Sequence, residues 1–195
     1  MKNVIAFLFL FLSMLGAQAK NDSTKVALLL IDIQDFYFPG GVSALDQPEE
    51  AGLKAKAVLM EFRKRQLPVI HIKHQFEPGG DIHGSVAPID GETVIVKQEV
   101  NVFNGTDLLG RLSEMGIQKI VVAGMQTHMC VEAAVRGAYD FGFKVILVAD
   151  ACATRDLNND GYIIKSKDVH ACTLVTLRSY AEVITAEQIE KCFPL

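Results

Sequence analysis

Six short apolar runs, at residues 25–31, 68–72, 93–96, 118–123, 144–149 and 182–185, alternate along the chain with longer stretches of helical periodicity. From Val26 to Ile31 the run is apolar without a break, the pattern of a strand covered on both faces and hence of a parallel sheet. Ala55, Val58, Leu59 and Phe62 recur at i, i+3, i+4 and i+7 and predict one apolar face of a helix over 49–66. Further helices are predicted over 108–115, 128–141 and 168–180. This alternation predicts a three-layer α/β/α doubly wound fold around a six-stranded parallel sheet. Right-handed crossovers then bring the carboxyl ends of all the strands to one edge. The segments 75–92 and 151–167 are long loops expected to shape a site there.

The first residues follow a different logic. Lys2 gives a positive start, residues 4–15 are almost wholly apolar, and Ala17-Gln18-Ala19 fits an A-x-A cleavage site. The apolar run is shorter than the roughly 20 residues that a membrane-spanning helix needs. Residues 1–19 are therefore expected to be a signal peptide, with a membrane anchor or a buried helix as the alternatives. Residues 20–195 are expected to be one domain of a periplasmic or secreted protein. No Cys follows the cleavage site, so a lipid anchor there has no acceptor. Loss of Lys2 takes the formal charge from −4 to −5, and no basic run remains. That balance argues against nucleic acid, and against an anionic membrane once the signal is cleaved.

Four cysteines stand at positions 130, 152, 172 and 192, with no C-x₂₋₄-C zinc spacing among them. If Cys130 stays a thiol, at most one disulfide can form among the other three. Cys152 and Cys172 sit in apolar company and read as core thiols, while Cys192 lies near the chain end. Residues 156–161, DLNNDG, match the first half of a calcium loop. Position 12 is Lys167 where a bidentate Glu is required, so a turn before the last helix is the expected structure.

Asp32, Lys97 and Cys130 each fall just past or at the end of an apolar run. In open α/β sheets reactive groups gather at that edge. A carboxylate there can take and return a proton, an ammonium favours the charged form of either neighbour, and a thiol can attack a carbonyl carbon. Cys130 falls in the first turn of the predicted helix 128–141, where amide N–H groups and the helix dipole favour a thiolate. Each residue also has a plainer reading. Asp after a strand often caps a turn, an edge lysine is often solvated, and a free cysteine is most often a small buried hydrophobe.

The segments LLLIDIQDFYF, VIVKQEVNVFNGTDL and VVAGMQTHMCVEAAVRGAYDFGFKVILVADACATRD resemble the isochorismatase-like cysteine hydrolase superfamily, over about 26–189. Its Asp-x-Gln is met by Asp32-Ile33-Gln34. Its Lys followed by Phe and Thr-x-Leu is met by Lys97, Phe103 and Thr106-Asp107-Leu108, and its Gly-x-x-Thr-x-x-Cys-Val by Gly124, Thr127, Cys130 and Val131. The resemblance implies an Asp32–Lys97–Cys130 triad and a cis peptide between Met125 and Gln126. It also implies an oxyanion hole from the Gln126 and Cys130 amides, and a homo-oligomer. Gln34, Phe36, Phe38, Phe103, Thr127 and His128 are expected around a small-molecule pocket. The Asp-x-His metal pair of nicotinamidases is missing: the corresponding stretch holds His71 and His74 but no such carboxylate. No cofactor or metal is therefore expected. The chain reads as a hydrolase of C–N bonds in an amide, urea or carbamate. Hydrolysis of a vinyl ether or ester in the same fold, and a non-catalytic ligand-binding role, are the alternatives.

Overall fold

The computed structural model describes residues 26–193. The elements follow in the order β1 (Val26–Ile31), α1 (Pro48–Lys64), β2 (Val69–His74), β3 (Thr93–Lys97), α2 (Leu108–Glu114), β4 (Lys119–Met125), α3 (Glu132–Asp140) and β5 (Lys144–Ala153). A hairpin of β6 (Leu157–Asn159) and β7 (Tyr162–Ile164), then α4 (Ser166–Leu177), β8 (Glu182–Ile184) and a 3₁₀ segment over Ala186–Cys192, complete the described chain. The main sheet has six strands in the order β3-β2-β1-β4-β5-β8, all parallel. The three-layer doubly wound fold expected from the sequence is thus present.

Alternate residues of the central strands feed two cores. Leu28, Leu30, Val121 and Ala123 pack with Ala55, Val58, Leu59 and Phe62 of α1, the stripe that the periodicity picked out. Ala27, Leu29, Ile31, Ile120 and Val122 pack with Leu108 and Leu112 of α2 and Ala134, Val135 and Ala138 of α3. Pro48 opens α1, where its missing N–H is not needed. Glu49 and Glu50 in its first turn and Arg63 and Lys64 in its last complement the helix dipole.

The chain winds outward from β1 through β2 to β3, then returns to β4 and winds the other way. The strand order therefore reverses between β1 and β4, and the crevice at their carboxyl ends is where such folds hold ligands. Gly124 shapes this crevice. It pairs with Ile31 at φ +146°, and a Cβ there would collide with the Ile31 carbonyl. Only glycine lets the two strand ends approach so closely. The β4–β5 register also shifts between Val122 and Gly124, and β5 runs four residues beyond its expected end to Ala153.

The region expected as a turn before the last helix is a β-hairpin. Asp160 (φ 51°) and Gly161 (φ 89°) form its two-residue turn, the conformation for which Asp-Gly is favoured. Asn158 Oδ1 accepts from Gly161 N at 2.9 Å. Asp156 accepts from Lys165 Nζ and from the Ser166 amide, each at 2.8 Å, so the first calcium-loop position is engaged locally. Cys152 is buried as expected, whereas Cys172 is exposed on α4, and neither is in a disulfide. The buried stripe of α4 runs through Val169, Thr173 and Leu177, one step away from Cys172. The proposed signal peptide and the mature start at Lys20 lie outside the described residues, as does the Cys192 side chain. Among the described residues no helix is long and apolar enough to cross a membrane.

Candidate active site

Three strand ends deliver the three groups named from sequence to one place. Asp32 follows β1 and adopts φ 50°, a left-handed turn that Asp tolerates better than most residues. Its amide bonds to Ile72 O of β2 at 3.0 Å, which fixes that turn. Lys97 ends β3, two strands away, and reaches back beneath the crevice. Its Nζ lies 2.8 Å from Asp32 Oδ2, with both side chains at 0% exposure. The same Nζ lies 3.3 Å from Cys130 Sγ, 3.1 Å from Glu99 O and 3.2 Å from His74 Nδ1. Cys130 stands not in an α-helical first turn but in a π-turn over Thr127–Val131 that leads into α3. Gln126 O accepts from Met129 N at 3.0 Å and Val131 N at 3.3 Å and closes that turn. The Met125–Gln126 peptide is cis, as the resemblance implied.

Burial sets the electrostatics. It pushes the Asp32 carboxyl above its ordinary value against the pull of the Lys97 ammonium. Among the described residues no backbone amide or hydroxyl is aligned to donate to either carboxylate oxygen. Lys97 and the Cys130 thiol are thus its immediate partners. Burial pushes the Cys130 thiol up to about 12, reinforced by the Asp32 charge and opposed by Lys97. This corrects the expectation of a resting thiolate: the cost of desolvating sulfur exceeds what the ammonium and the turn's amides return. The free site holds a thiol beside a base of raised proton affinity.

Other residues named from sequence have different surroundings. Gln34 is fully buried. Its carboxamide accepts from His74 N at 2.8 Å and donates to His74 O at 2.9 Å and Gly80 O at 2.6 Å. With those bonds made, it is a strut between β2 and the following loop, not a pocket wall. Phe38 stacks on His83 with centroids 3.5 Å apart, and Phe36 packs on Tyr37 and Phe76. Phe103 packs against Phe141 and Phe143 and over Gly137, two turns of helix beyond Cys130. Thr127 is buried and its hydroxyl meets Ala153 O at 3.2 Å and His170 Nδ1 at 2.9 Å. His128 is half-buried, with Nδ1 2.6 Å from Thr154 Oγ1.

The sequence reading missed three neighbours. Tyr37, in the turn after Asp32, accepts from Gln126 Nε2 at 3.3 Å. Burial raises its hydroxyl to about 12, and it feels the charges of Asp32 and Cys130. His74 braces Lys97: burial followed by the Lys97 charge holds its pKa down, which favours the neutral ring that can accept a hydrogen bond from the ammonium. His170 of α4 reaches Thr127 from a cleft of about 330 Å³ that Asp46, Lys54, Asp150 and Thr154 also line. His71 faces elsewhere, donating from Nε2 to Glu92 Oε2 at 2.8 Å while Glu92 also pairs with Arg63. Among the described residues no three His, Cys, Asp or Glu side chains converge as metal ligands.

Comparison with known proteins gives the family. The isochorismatase domain family matches residues 26–188. The chain is 43% identical over 177 residues to the uncharacterized isochorismatase family protein YddQ of Bacillus subtilis, covering 85% of this chain and 98% of that protein. It is 29% identical over 191 residues to maleamate amidohydrolase of Pseudomonas putida, covering 84% of each. A crystal structure of an isochorismatase hydrolase from Oleispira antarctica superposes with a TM-score of 0.82 at 38% identity, over 85% of this chain and 96% of that one. Fold and family match agree, and the chain belongs to the isochorismatase family of hydrolases.

Proposed function

We propose that this protein is an exported hydrolase that cleaves a C–N bond in a small amide, urea or carbamate through a thioester on Cys130. One observation carries the reading: a single buried ammonium, Lys97, stands 2.8 Å from Asp32 Oδ2 and 3.3 Å from Cys130 Sγ at the edge where the strand order reverses. The similarity to a maleamate amidohydrolase supports C–N chemistry. The proposal of export rests on the charge, length and Ala-x-Ala ending of residues 1–19.

The first step follows from the proton affinities. With the thiol at about 12, sulfur attacks as its proton passes to Asp32, whose raised affinity suits it to a general base. Lys97 sits against both atoms and offsets the charge that moves between them. The Sγ–C bond forms, and the carbonyl oxygen takes up negative charge against the Gln126 and Cys130 amides. Asp32 then gives its proton to the nitrogen, the C–N bond breaks and the amine or ammonia leaves. Water, deprotonated by Asp32, attacks the thioester, releases the acid and restores the thiol. Glu99 O and His74 Nδ1 hold the lysine so that one ammonium serves both partners.

The test is a screen of small amides, ureas and carbamates with ammonia release as readout, joined to intact-mass trapping of the acyl-enzyme. Turnover with a mass adduct on Cys130 supports the proposal. Turnover that persists in Cys130→Ala removes the thioester.

A further inference from the structure

Gln126 has a side chain that the reaction above does not use. Its backbone is locked, because its carbonyl closes the turn that carries Cys130. The residue is 4% exposed. One end of its carboxamide, Nε2, donates to the Tyr37 hydroxyl at 3.3 Å, so the side chain bridges from the turn after β4 to the turn after β1. That bridge lies close enough to Asp32 and Cys130 for the Tyr37 hydroxyl to feel their charges. The other end, Oε1, is buried and meets no donor from the described residues. A buried acceptor left unpaired is costly, and native proteins rarely keep one without a use. This acceptor is held rigid by Tyr37, on the residue whose amide faces the reacting carbonyl in the mechanism above.

We infer that Gln126 Oε1 is a specificity group that accepts a hydrogen bond from an O–H or N–H carried on the atom next to the scissile carbonyl. The preferred substrates are then α-hydroxy amides and related primary amides with an adjacent donor, not simple alkyl amides. Tyr37 is a positioning residue that acts through Gln126. The bond changes nothing in the proton balance of the reaction. It pairs Oε1 when a donor-bearing substrate binds, and leaves Oε1 unpaired when an isosteric methyl group takes the donor's place. Sites built to bond a substrate hydroxyl discriminate strongly against analogues that lack it.

The inference rests on the amide-hydrolase reading, and the experiment separates the two. The probes are 2-hydroxypropanamide (lactamide), 2-methylpropanamide, which replaces the hydroxyl with a methyl group, and 2-methoxypropanamide, which keeps the oxygen but not the proton. Ammonia release by the full-length protein is expected to favour lactamide in kcat/KM by about 10- to 100-fold over both analogues. Gln126→Met should bring that ratio close to one, and Tyr37→Phe should lower it to an intermediate value. Dissociation constants measured with Cys130→Ala protein give a readout independent of turnover, with the same order expected. Ammonia released equally from all three amides overturns the inference and leaves the hydrolase reading intact. No ammonia from any amide, with lactamide still bound at least about tenfold tighter by the alanine variant, supports the inference against the hydrolase reading. Equal binding, no binding, or a preference for the methoxy compound overturns it.

Discussion

Removing Lys97 strands a carboxylate. Asp32 has 0% exposure, the ammonium 2.8 Å away, and no aligned backbone or hydroxyl donor among the described residues. Lys97→Met keeps most of the side-chain volume but leaves that charge buried and unpaired, a change that typically costs about 3–5 kcal/mol. In a domain of this size, each kcal/mol lowers Tm by about 2–4 °C, so a fall of about 10 °C is expected. Asp32→Asn added to Lys97→Met removes the stranded charge and keeps a residue that tolerates φ 50°. The double variant should therefore be about 2 kcal/mol more stable than Lys97→Met alone. The pH dependence carries the same information. In Lys97→Met the folded carboxyl binds its proton more tightly than the unfolded one, whose ordinary pKa is 3.8. Between 3.8 and the raised folded value the folded state holds more protons, so stability falls as pH rises through that window. Urea denaturation of wild type, both single variants and the double variant, from pH 3 to pH 8, measures the cycle. A double variant no more stable than Lys97→Met at pH 7, with no fall in the stability of Lys97→Met above pH 4, would refute the buried-pair argument.

Other outcomes follow from the same contacts. Cys130→Ala should lose at least about 10³-fold in turnover while its urea midpoint stays near wild type, since the residue is small and the turn is held by Gln126. Alkylation of Cys130 by iodoacetamide should be slow at pH 7 and rise about tenfold per pH unit to pH 10 without a plateau, because the thiol is held at about 12. A plateau near pH 8 would show that burial does not dominate. Glu92→Gln should cost about 2 kcal/mol at pH 7, read by urea denaturation. Burial pushes Glu92 up, but Arg63, the Ile89 amide and His71 outweigh it and hold the carboxyl at about 2. Since the ordinary value is 4.5, this contribution is complete above pH 4.5 and fades as pH falls toward 2, where variant and wild type should converge.

The residues that the sequence made legible are those whose position is fixed by local pattern. Asp32, Lys97 and Cys130 stand at the ends of strands whose apolar runs are unbroken, and the topology rule for parallel sheets carries them to one edge. The helical stripe of Ala55, Val58, Leu59 and Phe62 is buried for the same reason. Tyr37, His74 and His170 were missed because no period announces them. Tyr37 lies in a turn, His74 comes from a strand two residues longer than its apolar run, and His170 arrives from the far end of the domain. The hairpin at 157–164 did have a local signal, the Asp160-Gly161 dipeptide, which the calcium-loop comparison obscured. Gln34 and Cys130 teach the complementary point. The pattern placed both at the sheet edge, but burial decided that Gln34 spends its hydrogen bonds inside the protein and that Cys130 rests as a thiol. Burial depends on the whole fold and cannot be read from a segment.

The protonation of Cys130 bears on how long the enzyme lasts. Peroxides and disulfides attack thiolates, and the burial that pushes the Cys130 thiol up to about 12 keeps the thiolate scarce at neutral pH. In the proposed mechanism the sulfur becomes reactive only when a substrate carbonyl lies against it and its proton can move to Asp32. Cysteine enzymes that keep a standing thiolate depend on reducing partners to undo damage; this site limits the damage at its source. Cys172, exposed on α4, meets solvent oxidants ahead of the active-site sulfur. The burial that holds the Cys130 thiol protonated therefore also slows its loss to oxidation.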